Sequence, residues 1–201
     1  DGKLIAQAHK RLLPSYDVFD EERYFEPGDH AVTVDFLGER LGLTICEDIW
    51  NVANYLPRPL YHCDPVREMR DAGADTVINI SASPYHVGKV SWVSELLRIQ
   101  AAKSNQQIVY VNQVGGNDEL IFQGHSMVWD PAGRLVASGA DFAEDLIVYD
   151  TKTRQGDFHH ANLEPSEEVI EALVLGLRDY ARKTGFKKAV VGLSGGIDSA
   201  L

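Results

Sequence analysis

At 201 residues the chain can bury one good core, or one domain and part of a second. Its 44% apolar and 24% charged residues fit an ordinary soluble globular protein, and a net charge of −11 argues against a nucleic-acid or anionic-membrane surface, since either wants a basic patch. No run approaches the ~20 apolar residues that span a bilayer. Cys46 and Cys63 are the only two cysteines, so no disulfide framework exists, which suits a reducing cytoplasm.

Both ends read as cut. Asp1-Gly2 is a hairpin-turn dipeptide with no strand before it, and Leu201 falls just after a glycine-rich loop where a helix is expected to begin. An internal piece of a larger protein is therefore expected. Lys3 to His9 reads as a strand that delivers Lys10 to its end. Lys10 to Gly28 is a long irregular segment dense in aromatics and charge; such segments are often functional, although composition alone fits a solvated loop equally well. Ala31 to Phe36 alternates like a strand, and Gly38-Glu39 is expected to turn it into a second strand, Leu41 to Ile45.

Asn51 to Asp64 is loop-like, with Pro57 and Pro59. Pro65 opens a helix that runs to Ala72 and is ended by Gly73. Asp75 to Ser81 reads as a strand and Ser81 to His86 as a loop. Between Ser91 and Ser104, Val93, Leu96, Leu97 and Ala101 recur at helical spacing. Ile108 to Val114 is a further strand running into Gly115 to Glu119. Ser126–Trp129, Leu135–Ser138 and Leu146–Tyr149 complete a strand-rich stretch, with Asp130 to Gly133 as a hairpin turn. Strands alternating with helices in the middle and hairpins at the flanks predict an α/β fold with a mixed sheet.

The stretch around Cys46 carries the chemistry. A mostly apolar strand ends in Cys46-Glu47-Asp48-Ile49-Trp50. A thiol at a strand terminus can project into a cleft, where its thiolate is a strong nucleophile once a base or cation activates it. Two adjacent acids disfavour the thiolate, so a cation has to come from elsewhere in the fold. The alternative is a buried, inert cysteine. Glu47, next to the nucleophile on the strand, is expected to point to the opposite side.

The last fifty residues read separately. Thr151 to Pro165 is polar, lacks an apolar period and reads as a linker, with His159-His160 as a solvated pair. Ser166 is expected to cap a long helix, with acids in its first turns and Arg178, Arg182 and Lys183 in its last, as the helix dipole favours. Its expected buried stripe is Val169, Ile170, Leu173, Val174, Leu177 and Tyr180. Lys187 to Leu193 reads as a strand, followed by Ser194-Gly195-Gly196-Ile197-Asp198-Ser199. Small residues after a strand let backbone N–H groups close on phosphate oxygens.

With these motifs in view, residues 1–150 resemble the carbon–nitrogen hydrolase (nitrilase) superfamily, which implies an αββα sandwich and a Glu, Lys and Cys triad. By that resemblance Cys46 matches the nucleophile and Lys10, in Lys-x-x-Leu-Pro, the lysine. A fixed ammonium favours the thiolate and can bond the oxyanion of a tetrahedral intermediate. The family's general-base glutamate lies well upstream of the lysine, a place that nothing in this chain fills. Three stretches, Lys10 to Gly28, Asn79 to Lys89 and Val114 to Glu119, are similar to the glutaminase domain of the glutamine-dependent NAD synthetases. Carried over by motif, Tyr16, Ser83 and Lys89 would hold glutamine, and Glu21 would support Lys10.

Ser-Gly-Gly-x-Asp-Ser resembles the pyrophosphate loop of the ATP pyrophosphatases. That implies the start of a Rossmann-like adenine nucleotide alpha hydrolase domain from residue 166 onward, with ATP held by Gly192, Leu193, Ser194, Gly195, Gly196, Ile197, Asp198 and Ser199, and Mg2+ alongside. Together the resemblances imply glutamine, ATP and deamido-NAD as substrates. Cysteine-dependent release of ammonia would feed an adenylated nicotinate carboxylate, in a cytoplasmic homo-oligomer. A free-standing amidase and a non-catalytic module built on the same fold stand as alternatives.

Overall fold

A computed structural model describes residues 2–52 and 61–200. Asp1 of the expected first turn, Pro57, Pro59 and Leu201 lie outside the described residues. A six-stranded mixed sheet is built from β1 (Val32–Phe36), β2 (Glu39–Ile45), β3 (Thr76–Ser81), β4 (Gln107–Asn112), β7 (Met127–Trp129) and β8 (Leu135–Ser138), in the order β1-β2-β3-β4-β7-β8. β2, β3 and β4 run parallel, with Leu41 opposite Thr76 and Thr76 opposite Gln107; the remaining neighbours are antiparallel. The β1–β2 hairpin turns through Leu37 and Gly38, both at positive φ, rather than through Gly38-Glu39.

Two helices, α1 (Pro65–Asp71) and α2 (Lys89–Ser104), connect the parallel strands. They cover one face of the sheet, where Val66, Met69, Leu96, Leu97 and Ala101 pack with Val77, Ile108 and Tyr110 in the main core. A Cβ on Gly42 would sit 2.5 Å from the Met69 sulfur, so only glycine lets α1 approach β2 this closely. Strand alternation sends Ile80 and Val111 to the other face, where they are half-exposed. This is an α/β architecture built on one mixed sheet.

Between β4 and β7 the chain makes a separate hairpin, β5 (Val114–Asn117) with β6 (Leu120–Gln123). The single expected strand 108–114 is thus two, broken at Gln113. The hairpin carries α3 (Pro165–Thr184), which starts one residue before the expected cap, Ser166. α3 does not bury the expected stripe. Ile170, Leu173, Val174, Leu177 and Tyr180 are exposed, and Ala172, Leu175 and Asp179 face the hairpin instead. The reason is a polar and small-residue seam: Gly116 donates its N–H to the buried Asp179 carboxylate at 2.9 Å, Lys183 donates to the Gly116 carbonyl, and Gly176 meets Gly116.

Three expected strands do not form as such. Lys3–His9 has no ladder partner among the described residues, and its Leu4 and Ile5 are exposed. Lys187–Leu193 is likewise unpaired, with Val190 and Val191 exposed. A strand needs a neighbour for its backbone groups, and neither segment has one among the described residues. Of Leu146–Tyr149 only Tyr149 pairs, in the short ladder β9 (Tyr149–Asp150) with β10 (Gln155–Gly156). Residues 151–164 are no free tether: Phe158 bridges to Ser138, and His160 Nδ1 lies 2.7 Å from Ser138 Oγ. His160 packs against His125, and His159 pairs with Asp145, so this histidine pair is engaged rather than simply solvated. No helix among the described residues is long and apolar enough to cross a membrane.

Candidate active site

β2 ends at Ile45, and Cys46 opens a single 3-10 turn, Cys46–Ile49, with its backbone in the left-handed region at φ +46°. A non-glycine residue held there is strained and persists only where its surroundings fix it. Several bonds do so. The Asp48 carboxylate, 3% exposed, accepts from the backbone N–H of Ile45 at 2.9 Å, and Asn79 donates to the Cys46 carbonyl at 3.2 Å. Asn79 is itself held by Thr44 and Ser81 at 3.0 and 2.7 Å.

The same Asp48 places Lys10. Its Oδ1 accepts from the N–H groups of Arg11 and Leu12, each at 2.8 Å, while Gly28 donates its N–H to the Lys10 carbonyl. Lys10 Nζ then reaches Glu21, 2.6 and 2.7 Å from its two carboxylate oxygens. Lys10, Glu21 and Cys46 line one cavity of about 600 Å3. A second cavity, about 490 Å3, shares Cys46 and Phe19 with the first and is walled by Tyr16, Glu47, Ser83 and Lys89. The thiol therefore stands at the junction of the two. All six residues assigned to catalysis and glutamine binding lie on these walls.

Burial pushes the Cys46 thiol up, and the nearby Glu47 adds to this. Lys10, the Ala82 backbone N–H and the Ser81 hydroxyl pull in the opposite direction without winning. The expected ionising effect of Lys10 is present but outweighed by burial.

Glu47 departs from expectation. It does not point away: its carboxylate accepts from Tyr16 Oη at 2.9 Å and from Tyr61 Oη at 2.8 Å, and it lines the second cavity. Strand alternation does not extend to it because the strand has already ended and the positive φ of Cys46 redirects the chain. Burial raises the Glu47 carboxyl above the usual carboxylate range, against the two phenols and the two lysines, Lys10 and Lys89. Burial likewise raises Asp48, against its three backbone donors. Asp48 and Asn79 lie within motif stretches of the sequence without a role of their own being legible there, and Tyr61 lies in none.

In the same cavity wall, Lys89 is the first residue of α2 and Ser83 hangs from Asn112, whose Oδ1 accepts the Ser83 N–H at 3.0 Å. The glycine-rich loop shares no wall with these cavities. Gly192, Leu193 and their neighbours are exposed, Gly195 has φ +84°, and Ser199 Oγ accepts from the Ser194 N–H and donates to the Gly196 carbonyl. Ile197–Ser199 forms a short 3-10 turn, and the helix expected at Leu201 lies outside the described residues.

Comparison with known proteins follows the same division. The family model described as carbon-nitrogen hydrolase matches residues 1–155. The chain belongs to the carbon-nitrogen hydrolase family. Beyond the hydrolase region, a model described as NAD synthase matches residues 169–201. The glutamine-dependent NAD(+) synthetase of Synechocystis sp. is 40% identical over 205 residues, covering 100% of this chain and 37% of the relative. That of Aquifex aeolicus is 36% identical over 234 residues, covering 99% of this chain and 40% of the relative. The solved glutamine-dependent NAD+ synthetase from Acinetobacter baumannii, in complex with ADP, matches with a TM-score of 0.87 at 38% identity, over 100% of this chain and 37% of that one.

The hydrolase region alone also matches a variant of the amidase from Nesterenkonia sp. AN1, at a TM-score of 0.55 and 27% identity, over 68% of this chain and 46% of that one. That amidase shows covalent addition of the acetamide moiety of fluoroacetamide at its active site cysteine. This hydrolase chain spans well under half the length of the synthetases it matches.

Proposed function

We propose that this chain is the glutaminase part of a glutamine-dependent NAD synthetase, followed by the start of its ATP-using domain. The observation that carries the reading is the thiol at the junction of two cavities. One holds the Lys10–Glu21 pair, and the other presents a carboxylate, Glu47, and an ammonium, Lys89, on its walls. Glutamine offers the matching charges: an α-ammonium for Glu47 with Tyr16, and an α-carboxylate for Lys89 with Ser83. Its side-chain amide is left for Cys46. The synthetase relatives and the covalently modified cysteine of the amidase support the same roles.

In this reading Cys46 Sγ forms a bond to the amide carbon. The thiol proton passes through a base to the departing nitrogen, which leaves as ammonia, and water then hydrolyses the γ-glutamyl thioester. Lys10 stabilises the oxyanion. Glu21 is already bonded twice to Lys10, and the base is the family's general-base glutamate that the resemblance implies.

ATP would adenylate deamido-NAD with release of pyrophosphate, ammonia would then displace AMP, and the relative solved in complex with ADP supports the use of a nucleotide. The small residues Ser194, Gly195 and Gly196 suit close approach of phosphate oxygens. Mg2+ would neutralise phosphate charge there, with Asp198 the one carboxylate of the loop. Among the described residues no group of three or more His, Cys, Asp and Glu side chains could hold a metal ion. A homo-oligomeric, cytoplasmic enzyme belongs to the same reading and rests on the resemblance. Domain limits of 1–150, a connection over 151–165 and a second domain from 166 accompany it.

The test is Cys46→Ala in the intact protein. NAD formation with glutamine should disappear while formation with free ammonia persists. Loss of both, or retention of both, contradicts the assignment.

A further inference from the structure

Among the described residues the Lys89 ammonium, on the wall of the second cavity, has aromatic rings beside it and no ion-pair partner. It lies 4.8 Å from the ring centroid of Trp50 and 5.7 Å from that of Trp92, and the two indoles pack on each other with centroids 4.6 Å apart. Cys46, Glu47 and Asp17 act on it only through space, and burial is the largest influence on it, disfavouring the charge. Its position is unfavourable in a second way, because Lys89 is the first residue of α2, where the helix dipole is positive.

A cation kept in such a place needs compensation. A carboxylate partner would supply it but would occupy the N–H donors and cancel the charge. An aromatic face supplies attraction through its quadrupole and leaves the donors open. Trp50 is 6% exposed and belongs to the main core, so it is fixed by packing. Trp92, one turn along α2 and half-buried, packs against Trp50 and lines the same cavity.

We propose that Trp92 is a positioning residue: packed on Trp50, it holds the Lys89 ammonium in the cavity with its N–H donors free for the α-carboxylate of the amino-acid substrate. This rests on the reading of the Cys46 cavity as a glutamine site. The preference for a free α-carboxylate, over amides lacking one, then depends on an indole that makes no covalent or ionic contact with the substrate.

The experiment compares Lys89→Ala, Trp92→Leu, Trp92→Phe and site-specific fluorinated tryptophans at position 92 in the intact protein, with glutaminase kinetics and ammonia-dependent NAD formation as readouts. Trp92→Leu should raise KM for glutamine roughly tenfold, with kcat and the ammonia-dependent rate unchanged. Trp92→Phe should recover part of the loss. Successive fluorine atoms, which drain the ring face while barely altering its shape, should raise KM in steps. A flat fluorine series overturns the proposal, whether Trp92→Leu leaves KM alone or lowers all activities together as a packing defect would. If Lys89→Ala still raises KM in that case, the glutamine reading survives the failure. If Lys89→Ala leaves KM unchanged, that reading itself fails.

Discussion

Asp48 accepts the backbone N–H of Leu12 at 2.8 Å, and this bond ties the loop that carries Lys10 to the strand end that carries Cys46. The same carboxylate takes the N–H groups of Arg11 and Ile45. Asp48→Ala leaves three backbone donors without their acceptor in a buried place. The expected cost is roughly 2–5 kcal/mol of stability, read by denaturant unfolding. Asp48→Asn keeps one acceptor oxygen but faces one donor with an NH2 group, and should lie between wild type and Asp48→Ala. Equal stability of all three would remove Asp48 from its place in the account.

Glu47 sets a pH dependence. Its carboxyl is raised by burial, and it has to be ionised to hold an α-ammonium. As pH falls through that raised value the carboxylate is protonated, so kcat/KM for glutamine should decline at a higher pH than an ordinary carboxylate would give. Tyr16 and Tyr61 donate to the ionised form and hold the value down. Tyr16→Phe and Tyr61→Phe should each move the acid limb to still higher pH. Glu47→Gln should abolish that limb and raise KM roughly 10- to 100-fold, as loss of a charge-assisted contact does.

The Cys46 thiol gives a second titration. Burial raises it and Lys10 counteracts the rise. Iodoacetamide reacts with the thiolate, so the alkylation rate should climb with pH and reach its midpoint above the value of a free cysteine, about 8.5. Lys10→Gln removes the opposing cation, leaves Glu21 unpaired nearby and should slow alkylation several-fold at neutral pH. An unchanged rate would mean that the ammonium does not act on the sulfur.

Gly116 meets the Gly176 backbone where α3 crosses the β5–β6 hairpin, and a Cβ there would lie 3.1 Å from the Gly176 Cα. Gly116→Ala should force α3 away from the hairpin, at a cost of about 1–3 kcal/mol. The loss should appear as a lower Tm, with alkylation of Cys46 unaltered.

The alternating strands, the proline-started α1 and the spacing of Val93, Leu96, Leu97 and Ala101 make the sheet and its helices legible in the sequence. Cys46, Lys10 and the residues around them were legible through motif resemblance rather than through physics. What periodicity could not supply was anything decided by contacts remote in sequence. The side of α3 that is buried follows from Gly116, Asp179 and Gly176 meeting, not from its own apolar stripe, which is exposed. Lys187–Leu193 has the composition of a strand, but among the described residues it has no neighbour to pair with. Glu47 was misplaced because alternation was carried past the end of β2, into a turn that a positive φ had already redirected.

The central claim is that Cys46 attacks a glutamine-like carbonyl bound between Glu47 and Lys89. The most direct measurement is the mass spectrum of the intact protein after exposure to an electrophilic glutamine analogue, a diazoketone that keeps the α-ammonium and α-carboxylate, followed by peptide mapping. A single adduct on Cys46, prevented by excess glutamine and absent from Cys63, is the predicted result. An adduct on Cys63, or labelling of Cys46 that glutamine does not prevent, would contradict it.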